Sequence, residues 1–227
     1  MDQAGTDAAA VDGLIVVSST GVATPSLDAR LMERMPFRRD LDRLPIFGLG
    51  CAGGVLGLAW TAAMACAAPG RRYLLVVVEL CALTFRHADR SKSNLVATAL
   101  FGDGAAAALV SCEGDGVALT GWGEHTWPAS LDVMGWGVSD DGLSVIFSRD
   151  IPTIVKEEFR GATIGFLKRQ GLTLAEIDSH VCHPGGAKVF DALEDVLSLE
   201  PGGLRHARHI LRNFGNMSAA TVLFVLD

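Results

Sequence analysis

Between Ala52 and Ala68 the chain runs through seventeen residues without a charge, nearly all small or apolar, and stops at Pro69-Gly70. A helix with no polar face predicts burial on all sides, so the remaining elements must be layered around it. The preceding Gly48-Leu-Gly-Cys51 puts a thiol at the start of that helix. Leu14-Ile-Val-Val-Ser-Ser19 and Arg72 to Glu79 are apolar, β-branched runs of the kind a sheet buries on both faces. Residues 26–35 carry Leu and Met at helical spacing until Pro36. Asn94 to Leu100 reads as helix, Phe101-Gly-Asp-Gly104 as a tight turn and Ala105 to Ser111 as strand. This alternation argues for an α/β layered fold. Only 7% of residues are aromatic although 49% are hydrophobic, which suits small-residue packing of helices on a sheet.

The second part of the chain is less regular. Residues 112–143 are rich in Gly and Asp and read as loops and edge strands. Ile151 to Gln170 reads as an amphipathic helix capped by Gly171, Ile177 to Cys182 as a short strand and His183-Pro-Gly-Gly186 as a turn. Ala187 to Leu197 and the basic Arg205 to Arg212 read as helices, and the apolar end after Ser218 as a buried strand. Residues 1–10 are expected to fray. Net charge is −7 with no basic block, which argues against nucleic acid or an anionic membrane as partner. The opening residues lack a basic start and an apolar core, and Tyr73 to Phe85 is too short to span a bilayer and contains Glu79. Five cysteines without framework spacing then read as reduced thiols in a cytoplasmic, globular protein.

Three residues carry candidate chemistry. Cys51 at a helix N-terminus feels the positive end of the helix dipole, which favours a thiolate nucleophile, and the glycines around it leave a substrate room. It reads equally as a small buried thiol in a glycine-rich turn. His183 before Pro-Gly-Gly can pair with a thiolate and donate to a developing oxyanion, or be an idle turn residue. Asn216 can donate to an oxyanion without surrendering a proton, or simply suit a turn. His180, Cys182 and His183 lack the spacing and the second ligand pair that zinc requires, so no metal is expected.

Four ordered motifs extend this reading. Gly48-Leu-Gly-Cys-Ala-Gly-Gly54, Phe101-Gly-Asp-Gly-Ala-Ala106, His183-Pro-Gly-Gly186 and Gly215-Asn-Met-Ser-Ala219 resemble the type III polyketide synthases, the chalcone synthase-like branch of the thiolase superfamily. The separations of 132 residues from Cys51 to His183 and 33 from His183 to Asn216 match that family. The resemblance implies a thiolase-like layered α/β/α fold, incomplete relative to the family. Residues 1–111 would be the remainder of the N-terminal half with the nucleophile, and 112–227 the C-terminal half with His and Asn. Missing would be the family's basic CoA-phosphate residues near the N-terminus and its closing Gly-Phe-Gly-Pro-Gly.

The family's chemistry implies catalytic Cys51, His183 and Asn216. Cys51 would hold the starter and growing chain as a thioester. His183 would stabilise its thiolate and, with Asn216, the malonyl enolate formed on decarboxylation. The substrates would be an acyl-CoA and malonyl-CoA, with no further cofactor and Gly185 and Gly186 against the CoA. Phe101 matches the gatekeeper, and Ser19, Thr20, Cys81, Thr84, Val145 and Ser218 match cavity-lining positions. Val145 replaces a Phe of plant enzymes and opens volume. Glu79-Leu-Cys-Ala-Leu-Thr-Phe85, Met134 to Val138 and Ser148 to Pro152 look like bacterial alkylpyrone and alkylresorcinol synthases, which implies a fatty acyl starter closed to a pyrone or resorcinol. A homodimer is also implied, with the apolar segment 14–24 as its interface and Thr24 at a position that reaches the partner. Two rivals remain. A ketoacyl synthase III would carry Cys-Ala-Gly-Phe, His-Gln-Ala-Asn and Asn-Thr-Ser instead, and an inactive truncated relative would serve as a partner subunit.

Overall fold

The computed structural model describes residues 5–114, 116–200 and 202–227. The chain forms two compact units that exchange segments. The first holds Met1–Leu80, Gly104–Trp122 and Ser218–Leu223, and the second holds Cys81–Asp103, Gly123–Met217 and Phe224–Asp227.

The first unit is built on a four-stranded sheet in the order β2-β1-β3-β4, comprising β1 (Gly13–Val17), β2 (Asp42–Ile46), β3 (Arg72–Glu79) and β4 (Gly104–Ser111). β1 runs parallel to both neighbours, with Gly13 opposite Asp42 and Tyr73, while β3 and β4 are antiparallel from Arg72↔Ser111 to Glu79↔Gly104. All five β1 residues are buried, as a strand covered on both faces requires. Below one face lie Met32 of α1 (Leu27–Met32), Phe37 and Leu41, packed with Val11, Leu14, Val16 and Leu74. On the other lies α2 (Gly53–Ala67), seated through glycines. A Cβ on Gly53 would fall 2.7 Å from Val17, and one on Gly57 would fall 3.0 Å from both Leu75 and Val17.

α2 departs from expectation in one respect. Gly53, Gly54, Gly57, Ala59, Thr61, Ala62 and Ala65 are buried, but Val55 is 50% exposed, so the helix is covered on one side and not all round. A uniformly apolar sequence tolerates burial without imposing it. The helical stretch Gly50–Ala67 is long and apolar enough to cross a membrane, yet its buried side packs on the sheet as a core helix does. β2 carries none of the apolar run that marks β1 and β3. It pairs at the sheet edge, where Pro45 is tolerated. Of the start expected to fray, Ala8–Ala10 forms a 3-10 turn capped by Asp7 with Ala8 buried, and residues 1–4 lie outside the described residues.

The second unit contains α3 (Lys92–Leu100), the hairpin of β5 (Met134–Ser139) and β6 (Gly142–Phe147), and a long helical stretch. That stretch comprises α4 (Ile151–Ile154), a π-helical turn (Val155–Phe159) and α5 (Arg160–Arg169). α6 (Ala187–Leu197) and α7 (Arg205–Phe214) follow, packing Phe190 and Leu193 against Leu204 and Ala207. Arg208 ties the two helices, donating to Asp191 at 2.8 Å and Glu194 at 2.7 Å with its guanidinium 4.9 Å from the Phe190 ring centre. Two expected strands are absent. Ile177–Cys182 is extended after a 3-10 turn boxed by Thr173 and Glu176, but it has no ladder partner among the described residues. Thr221–Leu226 is a helix, α8. A six-residue apolar run has no period that separates strand from buried helix.

Candidate active site

In the first unit Cys51 sits half-buried in a 3-10 turn, Gly50–Ala52, that runs directly into α2. Gly48 and Gly50 hold φ of +93° and +52°, the left-handed region in which glycine is unstrained. Ala52, at the N-cap position of α2, makes no side-chain capping bond. A Cβ on Gly54 would lie 2.2 Å from the Ala219 carbonyl oxygen, so this glycine fixes how closely the helix approaches the Ser218–Ala220 turn.

Ser19, Thr20 and Ser218 gather around a residue that sequence reasoning passed over. Glu79 ends β3 fully buried. Its Oε2 accepts from the Ser19 N–H at 3.0 Å and from the Thr20 hydroxyl at 2.8 Å, while Thr20 Oγ1 accepts from the Leu80 N–H at 2.8 Å. The Ala219 N–H and Ser218 hydroxyl also face the carboxyl. Burial raises the Glu79 pKa above the usual carboxylate value, against the lowering effect of these donors. Ser218 holds φ of +48°, uncommon outside glycine. The signal available in the sequence was a lone carboxylate closing an otherwise apolar strand. Leu14 to Thr20 is buried within this unit and is not the interface surface expected of segment 14–24. At the surface are residues 21–24, with Val22 77% exposed.

In the second unit Cys81, Thr84, Phe101 and Val145 line one cavity of about 330 Å³, together with Asn94, Thr98 and Asp103. Phe101 ends α3, its N–H bonding the Ala97 carbonyl, and its ring lies edge-on to Trp136 at 6.3 Å. Asn94 holds the approach to α3 by donating its side-chain amide to the carbonyls of Arg86 and Asp89. Asn216 is 2% exposed and bridged to Phe101. Its N–H donates to the Leu100 carbonyl at 2.8 Å, and its carbonyl accepts from the Gly102 N–H at 3.0 Å. Two glycines permit that bridge. Gly215 leaves α7 at φ +74°, and a Cβ on Gly102 would lie 2.5 Å from the Phe214 carbonyl oxygen.

His183 follows the extended segment before α6. Both ring nitrogens are buried, and neither has a hydrogen-bond partner among the described residues. Desolvation pushes its pKa down to about 4, so the imidazole is neutral at ordinary pH and keeps one N–H to donate. Burial pushes the neighbouring Cys182 up to about 11, which keeps that thiol protonated. Gly185 and Gly186 line a second cavity of about 560 Å³, with Lys92, Arg149 and Lys188 also on its wall. Gly186, at φ +148°, stands at the start of α6.

The family profile "Chalcone and stilbene synthases, N-terminal domain" matches residues 1–114, and "Chalcone and stilbene synthases, C-terminal domain" matches residues 124–227. The chain is 42% identical over 233 residues to a 1,3,6,8-tetrahydroxynaphthalene synthase of Streptomyces peucetius subsp. caesius, covering 100% of this chain and 62% of that relative. Among solved structures it resembles the 1,3,6,8-tetrahydroxynaphthalene synthase of Streptomyces coelicolor A3(2), a bacterial type III polyketide synthase. There the TM-score is 0.94 at 31% identity, over 99% of this chain and 65% of that one. It also resembles the germicidin synthase of Streptomyces coelicolor, with a TM-score of 0.88 at 31% identity over 99% and 60% of the two chains. The chain thus spans a little over three fifths of the curated relative's length, and its fold is that of the type III polyketide synthases, of the thiolase-like class.

Proposed function

The chain belongs to the chalcone and stilbene synthase family, and we propose that it acts as the condensing portion of a type III polyketide synthase. In this reading Cys51 attacks the thioester of an acyl-CoA, CoA leaves as the thiol, and the acyl group stays on the Cys51 sulfur. Malonyl-CoA then loses carbon dioxide, and negative charge develops on its thioester oxygen. His183 and Asn216 supply N–H donors for that oxygen, His183 as a neutral imidazole. Donors already aimed at a developing charge in a dry site need no reorganisation as the charge appears. The resulting carbanion attacks the Cys51 thioester and extends the chain by two carbons.

The observation that carries this reading is the convergence of Cys81, Thr84, Phe101 and Val145 on one cavity, with the backbone of Asn216 bridged to Phe101. Four of the seven residues implied for the substrate cavity share this one cavity, whereas Ser19, Thr20 and Ser218 gather around Glu79 in the first unit. Lys92, Arg149 and Lys188 beside Gly185 and Gly186 suit the phosphates of CoA. A fatty acyl starter, closure to a pyrone or resorcinol, and a homodimer complete the proposal, and Val145 in place of a larger ring favours the long starter.

The test is intact-protein mass spectrometry after mixing the chain with acyl-CoA thioesters from short to long, and aromatic. A single acyl adduct mapping to Cys51, largest with fatty acyl-CoA and absent from Cys51→Ala, is the expected result. An adduct retained in Cys51→Ala removes Cys51 as the nucleophile. No adduct on the wild-type chain favours the inactive-relative reading, and products that stop after one condensation favour the ketoacyl synthase III reading.

A further inference from the structure

Two exposed cysteines outside the proposed chemistry meet in the first unit. Cys66 is the penultimate residue of α2, and Cys112 directly follows β4. The Cys112 thiol donates to the carbonyl of Ala65, the residue just before Cys66, at 3.0 Å, and the Cys66 side chain is among the groups that raise the Cys112 pKa. The elements that bring them together are firmly held. α2 is seated on the sheet through Gly53 and Gly57, and β4 is laddered to β3 along eight residue pairs. The pair is therefore a product of the fold and not of a mobile tail.

We propose that Cys66 and Cys112 form a reversible dithiol–disulfide site, oxidised by a low-molecular-weight disulfide of the glutathione class. Cys66 is the attacking sulfur, because the Cys112 proton is engaged by the Ala65 carbonyl and partial desolvation beside Cys66 keeps that thiol protonated. The Cys66 thiolate attacks one sulfur of the external disulfide, breaking its S–S bond and releasing one thiolate, which takes up the proton Cys66 gave. Cys112 then loses its proton, attacks the Cys66 sulfur of the mixed disulfide and expels the second external thiolate, which takes that proton. Two protein thiols are oxidised by two electrons in all, and one external disulfide is reduced to two thiols. The cross-link would tie the end of α2 to the end of β4 and close a loop over residues 66–112. That loop contains Glu79 and the cavity residues Cys81, Thr84 and Phe101, so their unfolding would be constrained by the link.

The test incubates the whole chain with glutathione disulfide, blocks remaining thiols without reduction, and maps the peptides by mass spectrometry. The expected product is a Cys66–Cys112 linked peptide in a protein lighter by two hydrogens, restored by dithiothreitol. Its thermal midpoint should lie above that of the reduced chain. Cys112→Ser should instead stop at a glutathione adduct on Cys66 with no shift in midpoint, and Cys66→Ser should give no internal link. A stable glutathione adduct on wild-type Cys66 would overturn the proposal. So would a link that uses Cys51, Cys81 or Cys182, or a chain that does not react.

Discussion

At the scale of single residues, position along an element decides what a side chain can do. Glu79 is one carboxylate at the end of a strand, and folding surrounds it with Ser19, Thr20, Ser218 and the Ala219 N–H. Its folded pKa is raised, so the unfolded chain releases the proton first. Its stabilising contribution is complete below the ordinary glutamate value of 4.5 and is lost as pH rises through the raised folded value. Glu79→Gln keeps an acceptor for Ser19 and Thr20 without the charge. Urea unfolding at pH 7 is expected to find it at least as stable as the parent, whereas Glu79→Ala, which strands the Thr20 hydroxyl, should cost roughly 1–3 kcal/mol. Val145 makes a prediction of a different kind. A Phe there would occupy part of the cavity of about 330 Å³, so Val145→Phe should move acyl loading toward shorter starters. An unchanged chain-length preference would take Val145 out of the substrate's path.

Elements were legible where their hydrophobic period was long and illegible where it was short. β1, β3, β4, α2 and α6 follow directly from runs of apolar residues or helical spacing, and the structure places them within a residue or two of expectation. α8 and the extended Ile177–Cys182 segment defeated that reading, because a six-residue apolar run fits helix or strand and a strand exists only beside a partner. The glycines of α2 carry information that propensity alone inverts. Ala replaces Gly in a helix interior with a gain of about 1 kcal/mol. At Gly161 of α5 nothing lies within 4 Å of the added Cβ, so Gly161→Ala should raise stability by up to that amount. At Gly54 the same Cβ would sit 2.2 Å from the Ala219 carbonyl oxygen, and backbone does not yield cheaply. Gly54→Ala should lose about 3 kcal/mol or more in urea unfolding. Equal effects at the two sites would mean α2 is not held against the Ser218–Ala220 turn.

For the whole molecule, acidity is where buried groups add up. Burial lowers the His183 pKa to about 4 from its ordinary value of 6.5, so the unfolded state binds the extra proton. Stability from this group is complete above about 6.5 and is lost as pH falls toward about 4, by up to about 3 kcal/mol. Asp28, facing Arg43, and Glu194, facing Arg208, have lowered pKa values, so their stabilisation fades only on further acidification. Glu79, with its raised pKa, gains stability over the same fall in pH, so the His183 loss is read by difference. The profile of His183→Gln should lack the loss of unfolding free energy that His183 contributes to the parent between pH 6.5 and 4. An unchanged slope would show that the ring is solvated in the folded chain. Cys51, His183 and Asn216 could be named as candidates from the chain because each sits in a glycine-bearing motif whose wording is local. The alternation of apolar runs likewise fixed an α/β architecture, since burying such runs leaves few layered solutions. Four things were decided only by the tertiary structure: which face of α2 is covered, where Glu79 lies among its donors, that Cys81, Thr84, Phe101 and Val145 share one cavity, and that Cys66 meets Cys112. Each depends on residues distant along the chain, and sequence period describes the face a residue occupies, not the neighbour that fold geometry sets opposite it.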